Sequence, residues 1–368
     1  MHPFVIIKTD GHLSNAVAGF LKKLLTEQIA DAVLAAAPTP YSLLPMPTLF
    51  TAPDLIEKAD PLAPAAPFNS ARQAISVLKH DTGKRIALVL RPCEIRALIE
   101  LAKLKQCSLD NTLLIGIECL GRMENSVYLE SASQNPGLTQ AFYEDPDLQK
   151  HICSSCAICT RFQPVHADIS LCLVGMPANE CIGLSAETEA GLSVLKQLGF
   201  ETSEAPARRE DQIHRLLDER KASKAALLSE NKDKTDSIEK FQRYFADCLN
   251  CHNCRVACPV CYCRECVFLT DVFAHDPEVL LRRASKKGMV KLPADTTMFH
   301  MTRMAHIAHA CVACGHCSSV CPSHIPVADV FIRVAEEIQK LYDYEPGRDL
   351  SEAIPLLVFD ENTGNEGI

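Results

Sequence analysis

The chain has no surplus of positive charge: 37 lysines and arginines stand against 46 acids, a formal charge of −9. Nucleic acid or an anionic lipid surface would meet no general attraction here. Long apolar runs are also missing. The stretch around Ala30 to Ala37 is broken by Asp31, and nothing approaches the roughly 20 residues a membrane-spanning helix needs. Any membrane contact is therefore expected through partners, not by insertion. The opening Met1-His2-Pro3-Phe4 has neither the basic region nor the apolar core of a secretory leader, so the expected location is the cytoplasm. G-x-G-x-x-G, Walker, nucleophile-elbow and H-E-x-x-H motifs are absent, which leaves the common nucleotide and hydrolase readings without support.

What the chain has in quantity is cysteine, 19 in 368 residues. In a large chain without a leader, clustered cysteines point to metal ligation and not to disulfides. Cys248-x2-Cys251-x2-Cys254-x3-Cys258-Pro259 is repeated as Cys311-x2-Cys314-x2-Cys317-x3-Cys321-Pro322. Each copy matches the bacterial ferredoxin run, in which three close thiolates hold one 4Fe-4S cluster and the fourth cysteine serves the other cluster. The spacing predicts one cluster on Cys248, Cys251, Cys254 and Cys321, and another on Cys311, Cys314, Cys317 and Cys258. Structural zinc, the competing reading, explains the triple spacing and the terminal prolines poorly.

Three further thiols, Cys261, Cys263 and Cys266, follow the first run. They hold a fourth cluster with one distant cysteine, exchange with the expected ferredoxin ligands, or are buried or merely nearby thiols. A separate triplet, Cys153-x2-Cys156-x2-Cys159, lacks a fourth cysteine and must borrow one. Cys119 is the first choice, with Cys93 as its rival. Cys107, Cys172 and Cys181 stand alone, and core packing is their default role. His306 and His309, just before Cys311, are candidates for a hydrogen bond to a cluster sulfur, with plain surface or core histidine as the alternative.

The expected architecture is an α/β N-terminal domain with a partly parallel sheet, followed by a mostly α-helical ferredoxin-like dicluster domain. Residues 1–207 form the first. Within it, Val5–Ile7 is a strand, Asn15–Leu25 and Ser70–Leu78 are helices, and strand Arg85–Leu90, turn Pro92-Cys93, helix Glu94–Leu104 and strand Thr112–Ile117 make a βαβ unit. Cys93 and Cys119 then both lie beyond the carboxyl ends of adjacent parallel strands, where open α/β sheets bind ligands. Residues 208–240 read as a charged, solvated helical linker, residues 241–345 as the dicluster domain, and residues 346–368 as a loose tail.

In Arg91-Pro92-Cys93-Glu94-Ile95-Arg96-Ala97-Leu98, in Asp110-Asn111 through Glu118-Cys119-Leu120-Gly121, and in Cys153 to Cys159 followed by Ala167-Asp168-Ile169-Ser170, the chain resembles a known family. That family is the beta subunits of coenzyme F420-reducing hydrogenase and F420-dependent formate dehydrogenase, and the likeness runs over about residues 80–330. It implies flavin adenine dinucleotide (FAD) and a 4Fe-4S cluster in the α/β domain, with the flavin taking hydride and releasing single electrons. The clusters then lead to another subunit of a redox complex. The His300–His306 segment is similar to dicluster proteins that dock on heterodisulfide reductase and formate dehydrogenase subunits.

For the flavin, the loops near Arg91, Glu94, Arg96, Asp168, Ser170 and Gly175 are the expected surroundings. Hydride transfer requires no general acid or base, so no catalytic residue is assigned. Three positions depart from the family pattern: only Gly19 stands in the N-terminal segment that is usually glycine-rich, Cys172 replaces a glycine, and Arg91 replaces a smaller residue. Two functions follow. One is an iron–sulfur flavoprotein linking F420 or NAD(P)H to formate dehydrogenase, hydrogenase or heterodisulfide reductase; the other is a flavin-less connector that relays electrons between enzymes.

Overall fold

The computed structural model describes residues 3–263, 265–270, 273, 276–290 and 295–355. Its first half is built on one seven-stranded sheet: β1 Phe4–Lys8, β2 Ala32–Thr39, β3 Ser42–Phe50, β4 Ile86–Leu90, β5 Thr112–Ile117, β6 Ile169–Cys172 and β7 Cys181–Ala186. The spatial order is β1-β7-β6-β5-β4-β2-β3. The pairs β2/β4, β4/β5 and β5/β6 are parallel, whereas β1/β7, β6/β7 and β2/β3 are antiparallel. The parallel strands form the middle because both of their faces are covered. The run Ile86-Ala87-Leu88-Val89-Leu90 is buried throughout.

The expected βαβ unit is present, with Ile86 opposite Thr112 and Leu90 opposite Gly116. Its helix begins two residues before the expected start at Glu94, taking in the Pro92-Cys93 turn and spanning Pro92–Lys103. Pro92 suits the first helical position, whose N–H has no helical partner in any case. The Glu94 carboxylate turns back to accept from the backbone N–H of Arg91 at 2.8 Å and of Ser70 at 3.0 Å, filling the helix start and tying down the preceding loop. Cys93 therefore sits in the first helical turn after β4, and Cys119 lies two residues past β5.

One apolar core lies on the side of the sheet that includes Leu21, Val33, Ile115 and Leu184. A second, including Leu34, Leu88, Leu98 and Leu101, runs without a break into Phe245, Phe299, Phe331, Cys254 and Cys258. The cysteine-rich half is thus packed on the sheet half through shared core. Residues 208–240 do more than link. Helix Arg208–Thr235 buries Arg209, Ile213 and Arg220, and Arg209 forms a buried ion pair with Glu118, the residue before Cys119. Part of the expected loose tail is also docked: the Arg96 Nε donates to the Pro346 carbonyl at 2.8 Å, and the Gly347 N–H donates to Glu100 at 2.8 Å. Residues beyond 355 lie outside the described residues.

Candidate iron–sulfur centres

Each ferredoxin run is a short helical turn followed by Cys-Pro: helix Asn253–Val256 carries Cys254, and helix His316–Ser319 carries Cys317. The two turns pack together and exchange their last cysteines. One cavity is lined by Cys248, Cys251, Cys254 and Cys321. A second is lined by Cys258, Cys311, Cys314 and Cys317. These are the two groupings expected from crossing, and helix Val327–Leu341 closes the second with Ala328, Phe331 and Ile332.

The electrostatics match a strongly anionic occupant. Burial pushes the Cys311 thiol up to about 11 and the Cys314 thiol up to about 12. Such thiols need iron, or another cation, to be held as thiolates. Arg303 is 3 % exposed, donates from Nη1 to Cys254 Sγ at 3.1 Å and from Nη2 to the Cys254 carbonyl at 3.3 Å. Its guanidinium lies over the rings of Phe331 and Phe299, 4.5 and 5.7 Å from their centroids. Its buried Nε has no hydrogen-bond partner among the described residues, as expected of a donor whose acceptor is a cluster sulfur. Two sets of four thiols, each around its own cavity and served by spare N–H groups, fit 4Fe-4S clusters.

His300 Nε2 lies 3.4 Å from Cys248 Sγ, and its ring stacks on Phe245 at 3.9 Å. Burial, with Arg303 and His252 beside it, holds this imidazole neutral, its pKa lowered to about 3. The histidines expected in that role stand elsewhere: His306 is exposed, and the His309 Nδ1 is buried without a hydrogen-bond partner among the described residues. His300 and Arg303 fall on one face of helix Thr296–Ile307, a face that the spacing of cysteines alone does not reveal.

The third triplet lies on the loop around helix Ser154–Ala157. The adjacent Cys153 thiol, with Arg122 and Arg220 adding to it, holds the Cys156 thiol below its ordinary value against burial. Burial pushes Cys119 up to about 11, with Arg91 opposing and Cys156 and Cys159 adding to the rise. Cys93 is raised by burial and then by Glu94, Cys314, Cys119 and Cys159, so it lies within electrostatic reach of both the third triplet and the second ferredoxin run. Arg220 straps the loops together, donating to the carbonyls of Cys119, Cys159 and Leu120 at 3.4, 3.1 and 2.7 Å. Arg122, 3 % exposed, has Cys153, Cys156 and Cys314 around it, and its Nε and Nη1 have no hydrogen-bond partner among the described residues. The four sulfurs of Cys119 and the triplet therefore have the donors and cations that suit a cluster.

Cys261 lies near Cys258 and Cys263; Cys263 is exposed and Cys266 half-buried. The intervening Arg264 lies outside the described residues. Cys107 is half-buried beside the second core, and Cys172 packs against Phe4 and Met176, with Cys181 partly buried at its edge.

The six residues expected around the flavin are all engaged in structure. Arg91 Nη2 donates to the carbonyls of Ala63 and Ala65 at 2.6 and 3.0 Å, and Glu94 caps its helix. Arg96 reaches Pro346 and the Val312 carbonyl. Asp168 accepts from the Leu114 N–H and the Thr188 hydroxyl at 2.9 and 2.7 Å. Ser170 lies in β6, buried. Gly175 has φ +73°, and a Cβ there would stand 2.8 Å from the Arg209 Cα, so close packing against the long helix requires glycine. Arg91 and Glu94 line one small cavity with Leu90 and Ile117, whereas Arg96 borders a different cleft, of about 440 Å³, with Cys159, Arg161, Lys224, Cys311 and Lys340 among others.

Among the described residues no helix is long and apolar enough to cross a membrane. Residues 245–325 match the family model for a 4Fe-4S dicluster domain. Over nearly its whole length the chain is similar to F420-dependent formate dehydrogenase 1 subunit beta of Methanococcus maripaludis, 30% identical over 393 residues and covering 95% of each chain. The F420-dependent formate dehydrogenase subunit beta of Methanocaldococcus jannaschii is 26% identical over 374 residues, 91% of this chain and 92% of that one. A chain of the F420-reducing nickel–iron hydrogenase complex from Methanosarcina barkeri superimposes with a TM-score of 0.48 at 16% identity, covering 65% of this chain and 94% of that chain.

Proposed function

This chain belongs to the family of F420-dependent formate dehydrogenase beta subunits, and from that membership we propose a route for its electrons. It is an iron–sulfur electron-transfer subunit of the kind found in multi-subunit redox enzymes. In our reading Cys248, Cys251, Cys254 and Cys321 hold one 4Fe-4S cluster, and Cys258, Cys311, Cys314 and Cys317 a second. Cys153, Cys156 and Cys159 hold a third with Cys119, and Cys93 stands between the third and the second. Electrons pass along this chain between a hydride carrier, coenzyme F420 or NAD(P)H, and a partner such as a formate dehydrogenase, hydrogenase or heterodisulfide reductase subunit.

One observation carries the reading. A Cβ placed on Gly315, in the second ferredoxin run, would stand 1.7 Å from the Ser155 Oγ, in the third triplet. The third site and the dicluster are therefore in van der Waals contact, with Cys93 within electrostatic reach of both. A bound FAD would supply the change from hydride to single electrons that clusters lack. The cleft beside Cys159 and Cys311 is of the size small-molecule pockets have, and its Ile158, Leu228 and Ile332 offer an apolar wall.

A second reading, a flavin-less connector, is favoured by the engagement of Arg91, Glu94, Arg96, Asp168 and Gly175 in structural contacts. The test is anaerobic purification with iron, acid-labile sulfide, zinc and flavin measured per chain, followed by reduction with F420H2 or NADPH. About twelve irons, from three 4Fe-4S clusters, with one flavin and bleaching by either carrier supports the flavoprotein. The same iron without flavin and without bleaching favours the connector. Zinc without sulfide sinks both.

A further inference from the structure

Arg303 and Arg122 are buried guanidinium groups at the two junctions of the cysteine chain. Arg303 has Cys254 of one ferredoxin grouping and Cys258 and Cys317 of the other around it. Arg122 has Cys153 and Cys156 of the third triplet and Cys314 of the second grouping around it. No ion pair of Arg303 occurs among the described residues. Arg122 has one loose ion pair, with Glu124 at 3.9 Å from Nη1, a carboxylate whose own side chain is 43 % exposed. Arg122 Nη2 donates to the Ser319 hydroxyl at 2.7 Å, which donates in turn to Glu124 at 3.1 Å.

A buried cation without a counter-charge is costly, and one partner that is merely polar does not offset it. Arg303 is instead held by Phe299 and Phe331 and by sulfur. The negative charge that balances Arg303, and that which adds to the half-exposed Glu124 in balancing Arg122, then comes from the thiolate-ligated clusters, which gain one more negative charge on each reduction. We propose that Arg303 and Arg122 are positioning residues that act as shared counter-cations, each raising the reduction potentials of the two clusters it lies between. Arg303 serves both ferredoxin clusters; Arg122 serves the second ferredoxin cluster and the third cluster.

The consequence is a wire with no isolated low-potential step. Each arginine favours the reduced form of both neighbours, and the second ferredoxin cluster, lying between the two arginines, is favoured by both. The step concerned is one-electron reduction of a cluster by its neighbour: one cluster loses an electron, the next gains it, and no proton or leaving group is involved.

The inference rests on the cluster assignment above, and its test keeps the two apart. Iron and sulfide are first measured on the anaerobic full-length chain and on R303Q and R122Q; too little sulfide in the parent chain overturns the cluster assignment itself. With clusters present, redox titration followed by electron paramagnetic resonance reads each midpoint potential. R303Q is expected to disfavour reduction of both ferredoxin clusters roughly tenfold, a fall of about 59 mV, with the third unmoved. R122Q is expected to lower the third and second clusters and leave the first. R303K and R122K, which keep the charge, are expected to return most of the shift. Unmoved potentials, or a shift in only one cluster per variant, overturn the proposal. Where a glutamine variant holds no cluster, the lysine variant decides: near-parental potentials in both neighbours support it, and a tenfold loss in both overturns it.

Discussion

Gly315, in the second ferredoxin run, packs directly against Ser155, in the third cysteine triplet. Gly315 has φ +75°, a backbone region that side chains rarely adopt, and a Cβ there would meet the Ser155 Oγ at 1.7 Å and its Cβ at 2.6 Å. The second ferredoxin turn is seated on the third cysteine loop by the lack of one methyl group.

Gly315→Ala is therefore expected to cost about 1–3 kcal/mol in backbone strain alone, with the clash in addition. Loosening of the Cys153–Cys159 loop should show as lost iron and a lower thermal midpoint. Ser155→Gly in the same chain removes the clash and should recover part of the iron, leaving only the strain. Equal loss in the single and double variants would sink the account.

The cysteine exchange makes a prediction that sequence neighbours would not suggest. Cys321→Ala is expected to remove the same paramagnetic signature as Cys251→Ala, although Cys321 stands in the other run. Cys258→Ala should instead match Cys314→Ala. Electron paramagnetic resonance of the reduced variants checks the pairing, and a match of Cys321→Ala with Cys314→Ala contradicts it.

Glu118 bears on the third site from beneath. Its carboxylate accepts from the backbone N–H groups of Leu173 and Val174 at 2.8 and 2.9 Å and pairs with Arg209. Arg209→Met leaves that carboxylate buried without its cation, a change that typically costs about 3–5 kcal/mol. Lower thermal stability and a labile third cluster, with the two ferredoxin clusters intact, are the expected outcome. Chemical denaturation and iron release over time measure it.

Asp329 provides a pH test away from the cysteines. Burial raises its pKa to about 6, with Lys234 opposing, and its Oδ1 has no hydrogen-bond partner among the described residues. A carboxyl raised in the folded state favours folding while protonated, fully so below the unfolded value near 3.8, and that contribution disappears as pH rises through about 6. Asp329→Asn should therefore stabilise the protein by about 1 kcal/mol above pH 7, a figure reduced for partial solvent screening. The gain should fade toward pH 5. Thermal midpoints of both proteins across this range decide it, and a constant difference would refute the titration.

Much of this was legible in the chain itself. The continuous apolar, buried runs of β4 and β5 mark the βαβ unit, and Cys-x2-Cys-x2-Cys-x3-Cys-Pro carries its own expected ligand spacing. One antiparallel edge was legible, Val5–Ile7 falling within β1, and the other was not: β2 begins in an alanine-rich stretch and β3 holds Pro45 and Pro47, residues that edge strands tolerate but that give no strand signal. His300 was hidden behind His306, because a histidine near a cysteine run looks the same whether it faces sulfur or water.

Sequence alone determined the local matters, which thiols are clustered and where the βαβ unit falls, since short-range spacing and periodicity set them. Only the tertiary structure decided which charges those thiols meet. Arg303 lies 49 residues from Cys254, and Arg220 lies 101 and 61 residues from the carbonyls it holds at Cys119 and Cys159. Such contacts come from packing distant elements on one core, and their strength comes from the low dielectric that the packing creates.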